Sequence, residues 1–259
     1  MNAIRLEELT WQDAKVAIDE SQGVAIIPIG SVEQHGYHLP LGTDSFVAQG
    51  LAEEAAAKSK ALLIPPMWLG WCPHHMALTG SITIRPEVLT EYLYDVMKAL
   101  KTHGIRKFVL INGHRIVNIV WMQIAAQRAQ EDLDVRAVIF DPAYMSKELI
   151  AKLGIGPVGH AEEIETSHMI HMHPDLVHME RAVDNPVQDK HLYSVDPNYT
   201  KDTLCYVPSR FKDQKAHAAQ SGGTAGSPTK ATAEIGKEYH EHLVNRLLEV
   251  IEQLRGEEL

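Results

Sequence analysis

The sequence has only two cysteines, no long apolar run and no excess of basic residues. Cys72 and Cys205 lie far apart and in no metal-binding spacing, which excludes a disulfide framework and a cysteine-based zinc site. The longest apolar runs reach about six residues, against the roughly 20 that span a bilayer, so no membrane partner is read. The opening residues, MNAIRLEELTWQDA, carry neither a basic nor an apolar segment of the kind that directs secretion, so a reducing, cytoplasmic setting is expected. Lys and Arg number 24 against 34 Asp and Glu, a formal charge of −10 with no basic run, which argues against nucleic acid as a partner. Repeats, low-complexity tracts and clear linkers are also missing, so 1–259 reads as one domain with enough chain to bury a core.

What the sequence does have is histidine, 15 of 259 residues. Imidazole is the commonest metal ligand and titrates near neutrality. The question is which of the fifteen do chemistry.

Four apolar runs, 24–30, 61–66, 107–113 and 136–140, read as strands covered on both faces, as in a parallel sheet. Helical patterns lie between them. One is capped at Thr43 and carries Val47, Ala48, Leu51, Ala52 and Ala55. Another follows Arg85-Pro86 with Leu89, Leu93, Val96, Met97 and Leu100, and a third spans about 117–131. This alternation predicts a three-layer α/β/α sandwich around a mainly parallel sheet. Residues 184–224 show little periodicity and read as a long functional or covering loop. Ser227-Pro228 reads as the start of a last helix with an apolar stripe at Leu243, Leu247, Val250, Ile251 and Leu254.

Three groups carry chemistry. Glu33-Gln34-His35-Gly36, followed by Asp44, comes directly after the first strand, where open α/β sheets place their sites. Glu33 and His35 stand two apart, so an extended segment points both the same way. Two carboxylates and an imidazole suit Zn²⁺, Mn²⁺ or Fe²⁺. Asn112-Gly113-His114 occupies the equivalent place after the third strand. His160, Glu162, Glu163 and Glu165 fall within six positions at the start of a helix. They can supply a ligand and a general acid or base, or simply form the acidic first turn that a helix dipole favours.

These stretches, IPIGSVEQHGYHLPLGTDS (27–45), LINGHRIVN (110–118), HAEEIETSHMIHMHPDLV (160–177) and SGGTAGSPTKATAEIGKEY (221–239), together resemble the creatininase family. HMALTGSITIRPEVL (75–89) is a weaker match. The resemblance implies a three-layer α/β sandwich, a pair of divalent metals at the strand ends and assembly as a homo-oligomer, often a hexamer. It makes Glu33, His35, Asp44 and His114 metal ligands, with Asp44 bridging, and puts His160 where the family has a catalytic histidine. Glu165 becomes a further ligand or the general base, and His75 a substrate contact. His38, inside the first motif, is a second candidate for the substrate pocket.

The departures from the family pattern are informative. Where creatininase reads N-G-H-Tyr-Glu-N with Glu as ligand, this chain has Arg115 and Ile116. Ile116 cannot bind metal, so the second site is either completed by Glu165 or Glu163 or is weaker. Arg115 adds a cation that can pair with a carboxylate or bind a polyhydroxylated substrate. The tryptophans of the creatinine pocket have no counterpart in 141–160. The expected activity is therefore metal-dependent hydrolysis of an amide C–N bond in a small polar, cyclic substrate other than creatinine. The alternatives are C–C hydrolysis of a cyclic diketone such as 3-dehydro-scyllo-inosose, and a non-catalytic metal-binding assembly subunit. His168 and His171 look like a ligand pair but are read as packing or subunit-contact residues. His103, His173, His178, His191 and His217 are read as surface or loop, and His240 and His242 as solvated.

Overall fold

A computed structural model describes residues 3–156, 158–186, 194–195 and 206–258. In chain order its elements are α1 (Trp11–Glu20), β1 (Val24–Ile29), α2 (Thr43–Ser59), β2 (Leu62–Leu63), α3 (Pro86–Thr102), β3 (Lys107–Asn112), α4 (Ile119–Leu133) and β4 (Arg136–Phe140). They continue with α5 (Pro142–Met145), α6 (Lys147–Leu153), α7 (Glu163–Met172), β5 (Ser194–Val195), β6 (Tyr206–Val207), α8 (Phe211–Ser221) and α9 (Ala233–Gly256). The first four strands form one parallel sheet in the order β2-β1-β3-β4. They are the four apolar runs of the sequence. β2 stops early because Pro65 and Pro66 follow and have no N–H to donate.

Side chains alternate across the sheet and build two cores. Val24, Ile26, Val109 and Ile111 pack with Leu51, Ile164, Leu243 and Leu247 on the side of α2, α7 and α9. Ala25, Ile27, Phe108 and Leu110 pack with Leu93, Met97 and Trp121 on the side of α3 and α4. That is the expected α/β/α sandwich.

Three local expectations need correction. Thr43 does not cap α2 but is its first residue, and its hydroxyl donates to the Pro40 carbonyl at 2.8 Å. The last helix begins at Ala233, capped by the Thr232 side chain, whereas Pro228 opens a separate 3-10 turn over Pro228–Lys230. Within 184–224 the chain forms α8, of which only Ser221 is buried. A helix so exposed carries no apolar stripe to betray it. Residues 187–193 and 196–205, with His191 and Cys205, lie outside the described residues.

The strand order places the reversal of winding between β1 and β3. These two pair in register up to Ile29 and Asn112, so the segments after each leave the sheet side by side.

Candidate metal centre

Two glycines bring a third element to that edge. A Cβ on Gly113 would lie 2.0 Å from the Asp44 carbonyl oxygen, and one on Gly30 would lie 2.2 Å from Ser45 Oγ. Only glycine at both strand ends lets the first turn of α2, with Asp44, touch them. A fourth element fixes the turn after β3. Asp141, just beyond β4, accepts from Asn112 Nδ2 at 2.8 Å and from the Ile116 N–H at 2.7 Å. Ile116 is thereby held at φ 70°, an outlier for a β-branched residue.

Glu33, His35, Asp44 and His114 meet there, each at most 2% exposed. Asp44 Oδ1 lies 3.1 Å from His35 Nε2, and its Oδ2 lies 2.8 Å from His114 Nδ1. Glu33 Oε2 accepts from Ser31 Oγ at 2.8 Å. Its Oε1 faces His114 Nδ1 at 3.1 Å, His75 Nε2 at 3.2 Å and His160 Nδ1 at 3.8 Å, yet makes a hydrogen bond with none of them. Glu165, from α7, brings Oε2 to 3.8 Å from His35 Nε2.

The charges follow from this crowding. Burial opposes a proton on His35, but Asp44, Glu165 and Glu33 outweigh it and raise the ring to about 9. His114 is raised to about 10 because Glu33 and Asp44 outweigh its burial. Asp44 is held well below the usual carboxylate range by His35 and His114, against its burial. Glu33 is pushed up by burial and by Asp44. His75 and His160 sink well below the ordinary imidazole value, through burial first and then neighbouring histidines.

These residues fit a divalent metal. His35 Nδ1–H points to the Glu33 carbonyl at 3.1 Å, which leaves Nε2 as a lone pair facing Asp44 Oδ1. Two acceptors so close need a cation between them, a proton in the bare protein or a metal ion. Buried Glu33 Oε1 and His114 Nε2 also lack hydrogen-bond partners. Among the described residues, three groups bring ligand atoms within 4.8 Å of one another: Glu33-His35-Asp44, His35-His160-Glu165 and Glu33-His75-His160.

The remaining candidates are placed as follows. His160 Nε2 donates to the Gln34 carbonyl at 2.6 Å, and its ring stacks on His75 with centroids 4.2 Å apart. Arg115 is buried, with Nη2 at 2.7 Å from Glu165 Oε1 and 2.5 Å from Glu162 Oε1. Glu163 turns away from the centre and accepts from Gly156 N and Ser227 N, at 3.1 and 2.8 Å. His38 bonds Thr166 Oγ1 at 2.8 Å through Nε2. His168 packs in the interior against Tyr239, as its reading as a packing residue anticipates. His240 corrects its reading as solvated: it is buried, linked to His168 Nε2 at 2.8 Å and to Glu54 Oε2 at 2.9 Å.

Sequence reasoning missed Ser31 and Asp141 as parts of the centre, and it gave Gln34 and Glu162, which stood inside its motifs, no role of their own. Asp141 had a usable signal, since it is a carboxylate directly after a buried strand.

Comparison with known proteins gives a consistent result. The chain is 28% identical over 241 residues to the 3-dehydro-scyllo-inosose hydrolase of Thermotoga maritima, spanning 88% of this chain and 76% of that one. It is 27% identical over 208 residues to the creatinine amidohydrolase of Pseudomonas putida, spanning 73% and 80%. A mycofactocin precursor peptide peptidase of Mycobacterium ulcerans is 28% identical over 230 residues, spanning 85% and 81%. A crystal structure of creatinine amidohydrolase superposes with a TM-score of 0.84 at 24% identity, covering 99% of both chains. Solved creatininases with similar scores, 0.83 each, include a Zn-Zn form and a Mn form. The family profile described as creatininase, creatinine amidohydrolase, matches residues 7–251, and the chain is therefore a hydrolase belonging to the creatininase family.

Proposed function

We propose that this chain, acting as one domain over 1–259, holds two divalent ions, Zn²⁺, Mn²⁺ or Fe²⁺, and hydrolyses a small polar cyclic substrate at a carbonyl carbon, breaking an amide C–N bond. The observation that carries this reading is the division of Asp44, whose two oxygens face His35 Nε2 and His114 Nδ1 separately. Glu33, His114 and Asp44 Oδ2 would hold one ion. His35, Glu165 and Asp44 Oδ1 would hold the other, with Glu165 replacing the glutamate that Ile116 displaces. Ions bound there supply Lewis acidity, which lowers the pKa of water toward neutrality and stabilises charge developing on a carbonyl oxygen.

The protein's own groups do the rest. His160 moves a proton at Nδ1 from the attacking water to the leaving atom. Arg115 orients Glu165, its Nη2 holding that carboxylate and Glu162 together. His38, committed to Thr166, supports the loop, and His75 faces the substrate. Assembly as a homo-oligomer and a cytoplasmic setting belong to the same proposal.

A second reading, C–C hydrolysis of a cyclic diketone, is favoured by the Thermotoga maritima relative, whose match covers 88% of this chain. Turnover of a panel separates the two: creatinine, other cyclic amides, formamidopyrimidines, short peptides and 3-dehydro-scyllo-inosose, each with Zn²⁺, Mn²⁺ and Fe²⁺. The expected result is two ions per chain, turnover of a cyclic amide with creatinine a poor substrate, and loss of metal and turnover together in His114→Ala. Turnover that survives His114→Ala sinks the proposed centre.

A further inference from the structure

Gln34 lies between the ligands Glu33 and His35 and touches two histidines, His75 with its side chain and His160 with its main chain. Its side-chain oxygen accepts from the Gly36 N–H at 3.0 Å. A main-chain N–H only donates, so this contact fixes which end of the amide is oxygen. The amide nitrogen therefore faces His75 Nδ1 at 2.8 Å and the Gly223 carbonyl at 3.5 Å. An amide NH₂ has no lone pair to offer, so Nδ1 of His75 is the bare nitrogen, and the neutral ring carries its hydrogen on Nε2. That N–H lies 3.2 Å from Glu33 Oε1, without hydrogen-bond geometry to it.

The main chain of the same residue does the complementary thing. The Gln34 carbonyl can only accept, and His160 Nε2 lies 2.6 Å from it. His160 therefore carries its hydrogen on Nε2 and turns a bare Nδ1 inward, 3.8 Å from Glu33 Oε1. The two rings lie nearly parallel, at 21°. One presents a donor and the other an acceptor to the same space beside Glu33.

We propose that Gln34 is a positioning residue that sets His75 as hydrogen-bond donor to the substrate oxygen and His160 as proton acceptor. The assignment rests on the hydrolase reading above for its chemical use. When water attacks, a C–O bond forms and His160 Nδ1 takes the water's proton. When the C–N bond breaks, that proton passes to the departing nitrogen. His75 keeps its proton throughout and only donates a hydrogen bond to the oxygen that gains charge. The Glu33-His75-His160 group is then a donor–acceptor pair beside the metals, and His75 is not a ligand.

The test is the tautomer of each ring, read by long-range ¹H–¹⁵N correlation on the zinc-loaded protein, which is diamagnetic. His75→Gln and His160→Gln variants assign the signals. Both rings are expected as the Nε2–H form. In Gln34→Glu, a carboxylate replaces the amide donor, so His75 is expected to switch to Nδ1–H while His160 stays unchanged, because the main-chain carbonyl remains. Zinc content should hold while kcat on any turned-over substrate falls about 100-fold, with a smaller change in KM. A wild-type His75 in the Nδ1–H form overturns the proposal without need of any variant. So does a Gln34→Glu spectrum in which His75 is unmoved. Neither readout requires a substrate, so failure here is distinct from failure of the proposed reaction.

Discussion

Arg115 Nη2 grips Glu165 Oε1 at 2.7 Å and so leaves the other oxygen of that carboxylate to face His35. The same nitrogen also bonds Glu162, so one buried cation serves two buried carboxylates. In the proposed centre this arrangement would let Glu165, from α7, serve where Ile116 offers no ligand.

Removing that cation should be severe. Arg115→Met leaves Glu162 and Glu165 uncompensated, and breaking a buried pair in this way costs about 3–5 kcal/mol. Burial, with help from Glu165, already raises Glu162 to about 7 despite the opposing pull of Arg115. Without Arg115 it must rise further. A carboxyl raised in the fold binds protons there first, so the loss should be greatest above pH 7 and should shrink as the pH falls. Urea melts of wild type and variant at pH 6 and pH 8 measure it. An equal loss at both values contradicts the assignment.

Metal uptake should release protons. His35 at about 9 and His114 at about 10 are both protonated at neutral pH in the bare protein. A metal must displace those protons, so binding at pH 7 should release about two per chain when both sites fill. Apparent affinity should rise with pH toward 9, by up to about tenfold per unit for each proton released. Calorimetry of Zn²⁺ binding in buffers of different ionisation enthalpy counts them. Binding without proton release means that neither ring is a ligand.

Much of this centre was legible because chemistry-bearing residues sat directly after strands buried along almost their whole length. β1 is buried at every position, and Glu33, His35 and His114 follow the ends of β1 and β3. What stayed hidden was pairing across the chain. In His160-Ala161-Glu162-Glu163-Ile164-Glu165, spacing does not say which carboxylate meets Arg115 and which clamps Ser227. His240 looked solvated because its partners, Glu54 and His168, are 186 and 72 residues away. Gln34 was visible in the motif, but its role depends on Gly36 and His75 fixing the two ends of one amide.

Acid should destabilise the fold through histidines outside the ligand set. Burial holds His168 well below the ordinary value and lowers His38 to about 4. Unfolded, both take up protons near pH 6.5. Their contribution is therefore complete above about pH 6.5 and is lost as the pH falls, by up to about 1.4 kcal/mol per unit for each ring, until the folded value is reached. For His38 the window runs from about 6.5 down to about 4. Chemical unfolding between pH 5 and pH 7 should show a slope that shrinks by about one proton in His168→Asn. A variant with the wild-type slope shows that His168 is not held neutral.

The approach of α2 to the end of β3 offers a test of the centre that touches no ligand. At Gly113 an added Cβ would stand 2.0 Å from the Asp44 carbonyl oxygen and 3.0 Å from the Ala48 methyl. The oxygen belongs to backbone in the first turn of α2 and cannot rotate aside, so Gly113→Ala must push the helix from the strand. Overpacking of this kind costs about 1–3 kcal/mol. The same displacement carries Asp44 away from His114, now 2.8 Å distant, so metal affinity should fall although every donor remains. At Gly154 a Cβ meets nothing within 4 Å, although its φ of +64° adds backbone strain. Gly154→Ala should therefore lose some stability and keep its metal. Zinc titration of the two variants separates strain in general from displacement of Asp44. Equal zinc affinity in both would show that the contact between Gly113 and α2 does not set the position of Asp44.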